Sequence, residues 1–205
     1  MCISFNGSFY KLFIDPVLSG LHRCIVENTE PRQKVLDVAC GTGSLSMAIA
    51  RKAKNVIGID LSEDMIITAR RGAWKKGINN IQFEIRDASD MSVYKDRQFD
   101  VAVTSMAIHQ YNADLAIKIL AGMRRIASEV IIADYNHHMP RGYGRTVAWT
   151  IERIAGGDHY RNFRNYMQSG GVHWFVKEAG LRIRSEVTRS GGIFVVAVCE
   201  SENNF

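Results

Sequence analysis

The sequence predicts an α/β three-layer sandwich on a mostly parallel sheet, finished by a C-terminal antiparallel hairpin. Three observations carry this. Strand-length apolar runs at 35–38, 55–59, 81–86, 99–105 and 129–133 alternate with stretches at helical spacing, the signature of repeated β-α units. A small turn, Cys40-Gly41-Thr42-Gly43, ends the first run and leads into a helix. Near the end of the chain, runs at 181–188 and 193–198 face each other across Arg189-Ser190-Gly191-Gly192, a hairpin spacing.

A chain of 205 residues is read as one domain, large enough to bury a core around such a sheet. Residues 1–30 form a helical cap, with Phe9, Leu12, Phe13, Val17, Leu18, Leu21 and Ile25 near helical spacing and Pro16 at a turn. After Pro31 come the first strand, the loop and a helix running to about Lys52. The second strand ends at Asp60, and Ser62-Glu63-Asp64 opens a helix with the charge sign favoured at its start. Gly77-Ile78-Asn79-Asn80 closes that helix. Residues 81–86 alternate as a strand, and 99–105 is almost wholly apolar, as suits a parallel strand covered on both faces. A helix over 114–126, the strand 129–133 and a helix over 172–180 follow.

The net charge of +5 leans towards anionic partners without establishing nucleic-acid binding. The four cysteines are scattered, with no metal or disulfide spacing. Cys40, in the loop, reads as a small residue packed beneath a ligand, with a reactive thiol as the other reading. No apolar run reaches membrane-spanning length and no leader pattern opens the chain, so a cytoplasmic protein is expected, with peripheral membrane contact left open.

The chemistry centres on the loop. Gly41 and Gly43 admit backbone angles closed to other residues and let a ligand approach the main chain. Ser46 fills the register where a dinucleotide fingerprint needs a third glycine. Asp37, just ahead of the loop, would repel a pyrophosphate and attract an ammonium group. Asp60 lies about twenty residues further on, where an acidic side chain reaches ribose hydroxyls. A nucleoside with a cationic tail fits both carboxylates, which disfavours a nicotinamide oxidoreductase.

Residues 35–43 resemble motif I of the class I S-adenosylmethionine (SAM) dependent methyltransferases. Residues 56–62, 83–88 and 99–105 are similar to the next three motifs. The likeness is strongest over 33–135 and leans towards the small-molecule branch that includes ubiquinone and menaquinone methyltransferases. It implies a Rossmann-like, seven-stranded sheet, SAM as cofactor and S-adenosylhomocysteine (SAH) as product. It further implies that Asp87 meets the adenine amino group and the Ala88 backbone the ring edge, with Asp87 as a simple turn cap the other reading. Ala39, Leu61 and Ser105 join the implied cofactor contacts, and Tyr10 stands near the methionine portion or simply packs. After 99–105 the chain continues Met106-Ala107-Ile108-His109-Gln110, lacking the Asn/Asp-Pro-Pro-aromatic or Pro-Cys motifs of DNA methyltransferases. A small-molecule acceptor, quinone, lipid or amine, is therefore expected, and no DNA. A non-enzymatic SAM-binding module and RNA or protein methylation remain alternatives, and the chain is read as a monomer or homodimer.

Residues 135–170, rich in aromatics and arginines, are read as a lid over the acceptor, broken at Gly156-Gly157. His109 beside the expected acceptor pocket, and His138 and His159 in the lid, are candidate bases or structural histidines.

Overall fold

The computed structural model describes residues 15–201. Its sheet has the order β3-β2-β1-β4-β5-β7-β6. Five strands are parallel: β1 (Lys34–Val38), β2 (Asn55–Asp60), β3 (Ile81–Ile85), β4 (Phe99–Ser105) and β5 (Ala127–Tyr135). β7 (Phe194–Ser201) runs antiparallel between β5 and β6 (Leu181–Arg189). The expected three-layer, Rossmann-like sandwich with its terminal hairpin is thus what the chain forms.

Central strands are apolar because both of their faces are covered: Val101, Ala102 and Val103 of β4 and Ile131 and Ile132 of β5 are fully buried. On one face lie α1 (Asp15–Glu27), α2 (Ser44–Ile49) and α3 (Glu63–Lys75). Met47 of α2 and Ile66, Ala69 and Ala73 of α3 close over Phe83 of β3. Ser62 caps α3 by accepting from the Met65 N–H, and Glu63 and Asp64 occupy its first turn. The Arg70 guanidinium then ties α3 to the sheet by donating to the Phe83 carbonyl at 2.6 Å. The other face carries α4 (Ala113–Ile126), whose Ile119, Leu120 and Met123 are buried, and α7 (Gly171–Glu178).

Three boundaries differ from the sequence reading, each for a local reason. α2 stops at Ile49 instead of near Lys52, because the Lys52 carbonyl accepts the Arg32 N–H and the Lys54 N–H donates to Gln33. β5 begins at Ala127, directly after α4, instead of at Glu129. It also runs on to Tyr135 because Phe194 of β7 pairs there, so Tyr135 belongs to the sheet and not to the lid. The lid segment itself is two helices, α5 (Tyr143–Ala155) and α6 (Gly157–Ser169). Gly156 and Gly157, with φ of 68° and 51°, take left-handed angles there, and α6 turns back onto α5. Of the N-terminal cap, residues 1–14, Tyr10 included, lie outside the described residues.

Candidate functional site

The chain leaves β1 towards β2 and β3 on one side and later towards β4 and β5 on the other, so the strand order reverses between β1 and β4. Ligands of open α/β sheets bind at the carboxyl ends of the strands at such a reversal. There an open cleft is lined by Asp37, Ala39, Cys40, Gly41, Thr42, Ser44 and Ser105, with Leu18 and His22 of α1 beside them. Register puts Val38 next to Thr104, so the ends of β1 and β4 open side by side. The Ser105 hydroxyl is buried at this mouth with no hydrogen-bond partner among the described residues, a polar atom that a ligand would satisfy. A larger hollow, lined by Lys34, Asn55, Asn79 and Asn80, lies at the opposite, amino-terminal edge of the sheet.

Two of the five left-handed non-glycine residues among the described residues stand at the same mouth. Ala39 (φ 58°) and Met106 (φ 56°), one residue past β1 and β4, hold left-handed angles that cost side-chain-bearing residues about 1 kcal/mol or more each. Gly43 is required twice over: its φ is 73°, and a Cβ there would stand 2.5 Å from the Phe83 ring. Gly58 on β2 meets the same ring, and its Cβ would also lie 3.0 Å from the Cys40 sulfur. Cys40 is therefore packed under the loop, and burial, then Asp37 and Asp60, push its thiol well above the ordinary range. A thiol kept protonated is a filler and not a nucleophile.

Asp37 is 2% exposed and accepts a hydrogen bond from Ser46 at 2.5 Å. Ser46, in the place of a third glycine, thus has a task of its own. Burial raises the Asp37 carboxyl to about 7, the Ser46 bond offsets part of this, and Asp60 adds to it. Asp60 accepts the Gly41 N–H on Oδ2 at 2.8 Å and the Ser62 N–H on Oδ1 at 2.9 Å, pinning the loop to β2 while each oxygen keeps a free lone pair. Asp87 accepts the Ser89 N–H at 2.7 Å, so the turn-capping contact exists with one oxygen left over. Leu61, 70% exposed, projects an apolar side chain from the end of β2. Tyr111, which the sequence reading passed over, sits within range of both Asp60 and Asp87. Burial and then these two charges push its phenol to about 12.

On the far side of Ser105 the three candidate histidines separate. His109 and His159 converge on Glu152 of α5, whereas His138 packs against His137, whose ring also meets His173. His109, 2% exposed, bonds Asp134 through Nδ1 at 2.6 Å, and its Nε2 lies 3.6 Å from Glu152. Glu152, 4% exposed, bonds His159 Nε2 at 2.5 Å and accepts the Tyr135 hydroxyl at 2.9 Å. Tyr135, Phe163 and Tyr166 wall the cluster with edge-on rings. Burial draws the His109 imidazole down, but Asp134, its hydrogen bond and Glu152 outweigh this and raise it. Glu152 was missed because a glutamate on an amphipathic helix reads as solvated; its place opposite His159, seven residues on across the double glycine, is the available signal.

Comparison with known proteins agrees with this geometry. A family described as methyltransferase domain matches residues 29–205. A ubiquinone biosynthesis O-methyltransferase of Pseudomonas aeruginosa is 29% identical over 157 residues, covering 74% of this chain and 66% of the relative, just under two thirds of that protein's length. Among solved structures, a SAM-dependent methyltransferase from Aquifex aeolicus superposes with a TM-score of 0.66 at 20% identity, covering 96% of this chain and 98% of that one. A magnesium protoporphyrin IX methyltransferase from Synechocystis, solved with bound SAH, gives 0.61 at 20% identity over 94% of this chain and 83% of the other. The chain belongs to the methyltransferase-domain family and has the class I SAM-dependent methyltransferase fold.

Proposed function

We propose that the chain is a SAM-dependent methyltransferase acting on a small-molecule acceptor. The observation that carries the reading is the cleft between β1 and β4, which sets the buried carboxylate of Asp37 and the hydroxyl of Ser105, partnerless among the described residues, around one space, with Asp60 at the adjoining strand end. SAM supplies a methyl group already activated by its sulfonium, so the protein's work is orientation and exclusion of water. Asp37 takes the ammonium, and Asp60 uses its free lone pairs for the ribose. Asp87 and the Ala88 backbone take the adenine edge, with Leu61 against its face. Gly41, Gly43 and Ala39 bring the main chain close, Ser105 faces the sulfur end, and Tyr10 joins from the cap.

The acceptor belongs beyond Ser105, under α5 and α6. Trp149 and Tyr160 on these helices suit a flat ring, and the relatives named for ubiquinone biosynthesis support a quinone-related acceptor over a lipid or an amine. Acceptor-side chemistry is assigned to the group Asp134, His109, Glu152 and His159 acting together, because both ring nitrogens of His109 already face carboxylates. His138 carries no step in this reading. No helix among the described residues is long and apolar enough to cross a membrane, and a cytoplasmic monomer or homodimer goes with the proposal.

Calorimetry of the folded chain with SAM, SAH and NAD is the test. One-to-one binding of SAM and SAH, weakened about 10- to 100-fold in Asp60→Ala, is expected, followed by label transfer from methyl-labelled SAM to a member of a quinol, lipid and amine panel. A folded chain that binds neither SAM nor SAH, or binds NAD in their place, overturns the proposal.

A further inference from the structure

The geometry points to a divalent transition-metal site formed by His109, Glu152 and His159. One possible ligand atom from each of the three residues lies within 4.8 Å of the other two, the one such grouping among the described residues. They come from three elements: the turn after β4, α5 and α6. The double glycine that folds α6 back onto α5 is what brings the last two together.

The surroundings are those of a metal centre. Metal-binding imidazoles characteristically give their other ring N–H to a carboxylate, which fixes the tautomer and aims the lone pair. Asp134 does this for His109 at 2.6 Å, and is itself held by the Tyr135 N–H at 2.7 Å. The Tyr135 hydroxyl orients Glu152 in the same way.

Charge balance argues in the same direction. Asp134 and Glu152 are 0% and 4% exposed, and two sealed carboxylates beside two neutral imidazoles would leave an uncompensated double negative charge. One divalent cation cancels it while both imidazoles stay neutral, the state in which they ligate. Otherwise two protons must serve.

Distances permit the exchange. Ligands about 2.1 Å from a tetrahedral zinc ion stand about 3.4 Å apart. His109 Nε2 stands 3.6 Å from Glu152 Oε1, while His159 meets the other oxygen, Oε2, so the carboxylate spans the two imidazoles. His159 and Glu152, at 2.5 Å, share a proton and need to part by about 1 Å. His159 has the room, since its side chain is 28% exposed and follows a glycine break. Two imidazoles and one carboxylate favour Zn²⁺, Co²⁺, Fe²⁺ or Mn²⁺ over Mg²⁺ and Ca²⁺, and three protein ligands leave a coordination position for water or acceptor.

The inference does not rest on the cofactor reading, and its test contains no SAM. Tag-free full chain, stripped with chelator and checked for folding by circular dichroism, is titrated with Co²⁺ and then Zn²⁺. One equivalent of Co²⁺ is expected, with the visible absorption of a low-coordinate site, displacement by Zn²⁺, and proton release seen as a buffer-dependent binding heat. His159→Ala, at a partly exposed position, weakens uptake about 100-fold or more, and Asp134→Asn about 10- to 100-fold. Glu152→Gln, which keeps the side chain's shape, is the second ligand variant. Folded wild-type chain without stoichiometric uptake, or uptake that survives both His159→Ala and Glu152→Gln, overturns the site and leaves the cluster balanced by protons.

Discussion

Lowering the pH weakens cofactor binding through one carboxyl group. Asp37 is buried at the floor of the cleft and its carboxyl is raised to about 7, chiefly by burial. A ligand ammonium needs the ionised form, so binding must drive the proton off. At pH ~5.5 only about one molecule in 30 carries the charged carboxylate, against nearly all at pH ~8. SAH is the suitable probe, because its sulfur is neutral and its ammonium stays charged below neutrality. Its apparent Kd is expected to be about 30-fold weaker at pH ~5.5 than at pH ~8, close to 2 kcal/mol. The same group has the opposite effect on folding. Between pH ~4 and ~7 the native state holds a proton that the unfolded chain has lost, so stability falls as pH rises across that window, by up to about 4 kcal/mol, and is flat above it. In Asp37→Asn the cofactor binds weakly at every pH and the stability slope is gone. Calorimetry for binding and denaturant titration for folding read both. A pH-independent affinity in the wild type, or the wild-type slope persisting in Asp37→Asn, refutes the reasoning.

Further perturbations separate loop, ribose partner and lid. Gly43→Ala sets a methyl group 2.5 Å from the Phe83 ring at a left-handed backbone position, and is expected to lower stability by about 2–3 kcal/mol in urea titration while weakening SAM binding. Asp60→Ala removes two charge-assisted bonds to the backbone as well as the proposed ribose partner, and a loss of about 10- to 100-fold in SAM affinity is expected with the circular dichroism spectrum unchanged. Phe163→Ala empties the fully buried space between Tyr135, Trp149 and His109, and a cost of about 3–5 kcal/mol is expected by thermal or chemical unfolding. Tyr166→Phe deletes only the hydroxyl that donates to the Tyr135 carbonyl at 2.8 Å, and about 1 kcal/mol is expected.

The placement of the proposed cofactor residues was legible in the sequence because they lie at or next to strand ends, which the apolar runs delimit. Asp37, Asp60 and Asp87 each follow or close an apolar run, so their shared rim follows from the β-α order alone. The purpose of Gly43 was less visible, since it depends on Phe83 arriving from a strand 40 residues away in the chain. Acceptor-side residues depend on tertiary folding even more. Glu152 becomes buried only when α6 folds back, and Asp134 meets His109 only because β4 and β5 are neighbours. The three candidate histidines look alike as sequence. The structure divides them, two on Glu152 and one on His137, because Asn136 turns the chain after β5 through its contacts with the His138 and Met139 N–H groups.

Strain and an unmet polar group coincide at the ends of β1 and β4. Ala39 and Met106 hold unfavourable angles at neighbouring strand ends, and Ser105, between them, has a buried hydroxyl with no partner among the described residues. Native chains rarely leave such a group unmet unless a ligand completes it. Together these features mark the carboxyl ends of β1 and β4, and they do so without reference to residues 143–169.

The most direct measurement is a crystal structure of the chain with SAH. The account predicts the ligand at the carboxyl ends of β1, β2 and β4, its ammonium at Asp37, its ribose on Asp60, its adenine beside Leu61 and Asp87, and its sulfur facing Ser105. SAH seated elsewhere, as in the hollow lined by Lys34, Asn55 and Asn80 at the opposite edge, would contradict it.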